Sequence, residues 1–214
     1  MGGQLFPAGT NTDTINSLTC NQAISMVGYY ILLNNYINSG NKIDTVYMIV
    51  TPLYLGNNLD QVYAYHYFLK PFYIDEYLPL FSETVKKQIN KIPYVYFCRL
   101  PFILTSNWAP DFVSKDEKKY TFLSPVSIEY LKKIKELGVK YKFKLIVLPT
   151  PTAISKKPLL EKMNKNEIVK SNLSNEFNNY FENIIYLDDS NFVDGLHLKK
   201  PQKYTEYYKN KWIK

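Results

Sequence analysis

The chain has 214 residues, 46% of them hydrophobic and 21% charged, which is enough for one sizeable core, short for two, and incompatible with a disordered chain. Its net charge of +7 would suit nucleic acid, an anionic glycan or a membrane surface, but the lysines are scattered in pairs such as Lys86-Lys87, Lys118-Lys119 and Lys132-Lys133. That is the pattern of solvated helix faces, and no nucleic-acid partner is expected. No apolar run approaches the ~20 residues of a membrane span, no basic-then-apolar leader stands at the start, and Cys20 and Cys98 have neither CxxC nor metal spacing. The chain therefore reads as soluble, with no disulfide framework, metal or cofactor expected.

In chain order, the opening MGGQLFPAGTNTDTIN carries Gly2-Gly3-Gln4, too short and too glycine-rich for a full strand. ISMVGYYILLNNYINSG, 24–40, has helical character and a Gly40 stop. VYMIVTPLYL, 46–55, and FKLIVLPTP, 143–151, are continuous apolar, β-branched runs ending in Thr-Pro, the mark of strands buried on both faces of a parallel sheet. Between them, 56–108 is an aromatic, proline-punctuated, irregular insertion with a helix expected over 76–90. IPYVYFCRLP, 92–101, and NIIYLD, 183–188, are weaker strand candidates. Ser124 and Pro125 start a helix whose Ile128, Leu131, Ile134 and Leu137 recur at helical spacing and which Gly138 should stop. Residues 158–182 read as a polar, outward helix, and a terminal helix should begin near Pro201. This alternation predicts a single α/β domain: a three-layer α/β/α sandwich with a mostly parallel sheet, the strands near 46–51 and 143–149 being neighbours or separated by one strand.

Chemistry concentrates in NFVDGLHLKK, 191–200. Asp194 and His197 follow the last candidate strand, and in an open α/β sheet ligands sit beyond the carboxyl ends of the strands. At this spacing a loop can fold back so that the carboxylate accepts from one imidazole nitrogen and leaves the other as a base. The plain alternative is a surface loop in which Asp194 caps the last helix. Asp188 and Asp189 lack the spacing to a histidine, and His66, within YAYHYF, is either a groove residue or a packed one.

DGLHL after NIIYLDDSNF and before a short terminal helix resembles the last block of the SGNH (GDSL-type) hydrolases and related O-acetyltransferases. The stretch from INSLTCNQAI to VYMIVTP is similar to the superfamily's path from its second block to its third strand, and KLIVLPTP to a strand with a proline near the active edge. The resemblance implies a flavodoxin-like sheet, His197 as base and Asp194 as its orienting acid. It also implies an oxyanion donor at Asn57 or, second, Asn58, whose plain reading is an asparagine-rich turn. Asn21 and Ser25, with Gly28 beyond, align with the second block. The family's nucleophile is a serine in a turn after the first strand. If Gly2-Gly3-Gln4 occupies that turn, Gln4 stands where the serine should be and the preceding strand is expected upstream.

Two functions then stand side by side. One is an esterase or O-acyltransferase acting on an O-acyl group, acetyl first, of a glycan or small ester. The other is a catalytically inactive SGNH-like module that binds a glycan or a partner. With Gln4 in the turn, little turnover of aryl acetates is expected from the chain as it stands, because a carboxamide is neither acidic nor nucleophilic enough to form an acyl-enzyme.

Overall fold

Two six-residue strands, β1 (Thr45–Val50) and β2 (Lys144–Pro149), pair in parallel with Val46 opposite Leu145 and Ile49 opposite Leu148. They come from a computed structural model that describes residues 2–10, 12, 14–20, 25–59, 68–92, 95–99 and 122–212. The two runs, expected to be parallel and either neighbours or one strand apart, are direct parallel neighbours. A second, shorter pair, β3 (Thr152–Ala153) and β4 (Tyr186–Leu187), is also parallel. The chain is thus a mixed α/β protein with small parallel sheets.

The period of two in a strand sends successive side chains to opposite faces, and here both faces are apolar. Met48, Val50, Leu145 and Val147 enter the larger core with α2 (Met26–Asn38) and α5 (Pro125–Tyr141). Tyr47, Ile49, Ile146 and Leu148 turn to a smaller cluster with Leu5, Phe6, Phe192, Leu198 and Tyr208, the last on α8 (Gln202–Trp212). This two-sided burial explains why the runs carry no polar alternation.

Helices α2 and α5 pack on each other, and each opens with a serine. Ser25 Oγ accepts from the Gly28 N–H at 2.9 Å, and Ser124 Oγ from the Ser127 N–H at 3.0 Å. Along α5 the buried stripe is Val126, Tyr130, Leu131, Ile134 and Gly138, and full burial of one such aliphatic side chain contributes about 1.5–3 kcal/mol. The helix does not end at Gly138 as expected. It runs to Tyr141, and Lys142 takes the left-handed conformation at φ 61°. The Lys142 and Phe143 N–H groups then return to the Gly138 carbonyl, a Schellman-type stop. Gly138 is required for a different reason: a Cβ there would lie 2.9 Å from the Phe143 carbonyl oxygen.

Two further expectations are corrected. Of the candidate strand over 92–101, the described part Val95–Arg99 is a 3-10 helix, because Pro93 and Pro101 bracket it and proline cannot donate to a ladder. The polar helix expected over 158–182 is two short helices, α6 (Lys157–Glu161) and α7 (Asn166–Lys170), followed by turns. Asn172 and Asn179 adopt positive φ and break the run. Leu173, Phe177 and Tyr180 then fall into the core instead of facing outward. Within the insertion the described α-helices are α3 (Lys70–Phe72) and α4 (Glu83–Ile89), the latter inside the expected 76–90. At the start, residues Gly2–Leu5 form one helical turn, α1, not a strand.

Candidate functional site

The carboxyl ends of β3 and β4 run into two 3-10 turns, Ile154–Lys156 and Asp189–Asn191. The Ser155 N–H donates to Asp189 Oδ1 at 3.2 Å, and the Ser190 N–H to Asp188 Oδ1 at 2.9 Å. Both aspartates that lack histidine spacing are therefore engaged by backbone. Phe192 and Leu198 then form an antiparallel bridge, flanked by the Val193 N–H to the His197 carbonyl at 2.8 Å and the Lys199 N–H to the Asn191 carbonyl at 2.9 Å. The bridge closes a narrow loop over 193–197. Buried Phe192 and Leu198 anchor it in the same cluster as Leu148 of β2 and Ala153 of β3.

Inside that loop Asp194 Oδ1 accepts from the Leu196 N–H at 3.0 Å and from the His197 N–H at 2.8 Å, the local turn that aspartate favours. Gly195 takes φ +76° to let the chain pass. The other oxygen, Oδ2, lies 2.6 Å from His197 Nδ1. The backbone N–H of His197 first, then its ring and the Leu196 N–H, hold the Asp194 carboxyl well below the usual carboxylate range. An ionised carboxylate only accepts, so Nδ1 is the donor and, in the neutral ring, Nε2 carries the lone pair. The side chains are about half exposed, 50% for His197 and 51% for Asp194, so the pair is open to a ligand. The arrangement is that of an oriented imidazole base.

Gln4 of α1 comes to the same loop. Its Oε1 accepts from the Leu198 N–H at 3.1 Å, and its Nε2 donates to the Leu198 carbonyl at 3.5 Å. The structure thus pairs Asp194 with His197 and brings Gln4 to Leu198, the residue after the histidine. Asn57 and Asn58 lie beyond β1, after the 3-10 turn Pro52–Gly56, against the start of α5. The Asn57 carbonyl accepts from Ser124 Oγ at 2.7 Å, and Asn58 Oδ1 from the Val126 N–H at 3.4 Å. Neither asparagine shares a hydrogen bond with Asp194 or His197 among the described residues. Ser25 serves as the α2 cap, Gly28 is buried in that helix, and Asn21 and His66 lie outside the described residues.

A surface depression of about 340 Å³ opens at the amino ends of β1 and β2, lined by Asn41, Lys42, Asp44 and Lys142 among others. It lies at the amino ends of the strands, whereas the Asp194–His197 loop follows carboxyl ends, and its lining has no serine, cysteine or histidine, so the loop is the better candidate. Among the described residues no three His, Cys, Asp or Glu side chains gather as a metal site, and no helix is long and apolar enough to cross a membrane. The chain matches no protein-family model, no curated protein and no solved structure.

Proposed function

We propose that the chain is an SGNH (GDSL-type) domain, a three-layer α/β/α sandwich whose site performs acyl transfer on an O-acyl ester, an acetylated glycan or small ester first. The single observation that carries this is the 2.6 Å contact between Asp194 Oδ2 and His197 Nδ1 in a loop at the carboxyl ends of parallel strands. In the proposed reaction His197 Nε2 takes the proton of an attacking serine hydroxyl as the oxygen adds to the ester carbonyl. It returns that proton to the departing alkoxide oxygen as the carbon–oxygen bond of the ester breaks. Asp194 holds the ring and offsets the imidazolium charge. Asn57, with Asn58 second, is the proposed donor to the oxyanion.

A second reading, a glycan- or partner-binding module on the same scaffold, is favoured by Gln4, whose carboxamide is engaged beside His197. The two are separated by assaying p-nitrophenyl acetate with the chain and with the longest in-frame product of its gene. The enzyme reading expects turnover from whichever protein carries a serine beside His197, falling about 10⁴-fold or more on His197→Ala. Saturable binding of an O-acetylated oligosaccharide without hydrolysis by either protein moves the conclusion to the binding module. Turnover that survives both His197→Ala and Asp194→Asn removes this loop from the chemistry.

A further inference from the structure

The bridge between Phe192 and Leu198 is of the kind in which the paired residues do not bond each other, since the ladder bonds are made by Val193 with His197 and by Lys199 with Asn191. In such a pair the N–H and C=O of the bridging residues point away from the partner strand. The Leu198 N–H and C=O therefore face outward, where a third strand would pair. Leu198 is 3% exposed, and unpaired backbone groups at a buried residue are costly. The Gln4 side chain fills the gap by presenting an acceptor and a donor to the same residue, as a neighbouring peptide group would.

Gln4 is itself held firmly. Leu5 and Phe6 beside it are buried. The Leu5 carbonyl accepts from Thr205 Oγ1 at 2.7 Å, and the Phe6 carbonyl from Ser17 Oγ at 2.8 Å and Thr19 Oγ1 at 2.6 Å. The amide is thus presented from a fixed point in the core, not from a waving side chain.

We propose that Gln4 is the positioning residue of the His197 loop: its side-chain amide takes the place of a third strand on Leu198 and so fixes the imidazole one residue away. This rests on reading His197 as the base of the site. Only glutamine meets the geometry. Asparagine is one methylene short, and glutamate can supply both contacts only when protonated. An ionised glutamate still accepts from the Leu198 N–H but sets a negative oxygen against the Leu198 carbonyl.

The test is by NMR on the whole chain, whose two histidines make the imidazole nitrogens simple to assign with a His197→Ala control. In the unaltered protein, at a pH where the ring is neutral, the long-range ¹⁵N spectrum should show His197 as the Nδ1-protonated tautomer. Gln4→Ala should give averaged nitrogen shifts and about tenfold less protection of the Leu198 amide from hydrogen exchange, the size of one or two hydrogen bonds lost. Gln4→Glu should behave like Gln4→Ala at pH 7 and regain Leu198 protection below about pH 4, where its carboxyl is protonated. A general packing role does not predict that pH-dependent rescue. If Gln4→Ala does not fold, the near-isosteric Gln4→Glu decides alone. A fixed tautomer that neither variant disturbs overturns the role of Gln4 and leaves the base intact. A mixed tautomer in the unaltered protein overturns His197 as an oriented base, and the role of Gln4 with it.

Discussion

Asp194 holds His197 at two points, accepting its backbone N–H through Oδ1 at 2.8 Å and meeting its ring Nδ1 through Oδ2 at 2.6 Å. The two contacts respond differently to Asp194→Asn. Asparagine keeps one oxygen for the backbone N–H, so the turn survives, but its amino group then faces Nδ1. A donor facing Nδ1 forces that nitrogen to accept and moves the proton to Nε2. The expected result is a folded protein whose His197 switches tautomer in the long-range ¹⁵N spectrum. Any His197-dependent ester turnover should fall about 10⁴-fold, as for a triad base left in the wrong tautomer. Retention of the Nδ1-protonated form in this variant counts against the carboxylate as the orienting group.

The same carboxyl gives a pH dependence of stability. In the folded chain it is held well below the usual range, while in the unfolded chain it has its ordinary value near ~3.9. Between those values the unfolded state binds more protons, so stability rises with pH. The contribution is complete above the unfolded value and is lost as pH falls through the folded one. The difference in Tm between the protein and Asp194→Asn should therefore be constant from pH 7 to about 5 and shrink below pH ~4. Because both side chains are half exposed, added salt should reduce the difference. A difference that stays unchanged down to pH 2 is the contrary result.

Much of this frame was legible because burial leaves a plain signal. Runs such as Met48–Val50 and Leu145–Leu148 have no polar alternation when both faces are covered, and Ser124 and Pro125 mark a helix start by the bonds they make or forgo. The Asp194–His197 spacing was legible because a three-residue separation is local. What was not legible is what depends on distant partners. The Gln4–Leu198 contact spans a separation of 194 residues, and no local pattern encodes it. Phe177 and Tyr180 were hidden among asparagines and charges, because Asn172 and Asn179 turn the chain at positive φ and return those aromatics to the core.

Gly195 is the one glycine in the site whose backbone demands it, at φ +76°, and a Cβ there would meet nothing within 4 Å. Gly195→Ala therefore tests conformation without a clash. Forcing an alanine into the left-handed region should cost about 1–2 kcal/mol, read as a shift in the urea midpoint with unchanged m-value. Gly195→Asn should cost less, since asparagine tolerates that region. Equal effects from the two substitutions would mean that the loop relaxes out of the left-handed conformation.

Two buried tyrosines finish the parallel strands at equivalent points. The Tyr180 hydroxyl donates to the carbonyl of Val50, the last residue of β1, at 2.8 Å, and the Tyr208 hydroxyl to the carbonyl of Pro149, the last residue of β2. Burial raises both phenols above their ordinary range, which keeps them protonated as donors. Tyr180→Phe or Tyr208→Phe removes one oxygen and leaves a buried carbonyl unpaired, at a cost of about 1–3 kcal/mol each in urea unfolding at pH 7. The sign with pH is opposite to that of Asp194. A folded pKa raised above the unfolded value near ~10 gives stability that is complete below pH 10 and declines as pH rises toward the folded value. Each phenylalanine variant should therefore be less stable than the parent at neutral pH and lose the least on going to pH 11, so that the gap narrows. If the gap is the same at pH 7 and pH 11, the hydroxyls are not the donors that finish these strands.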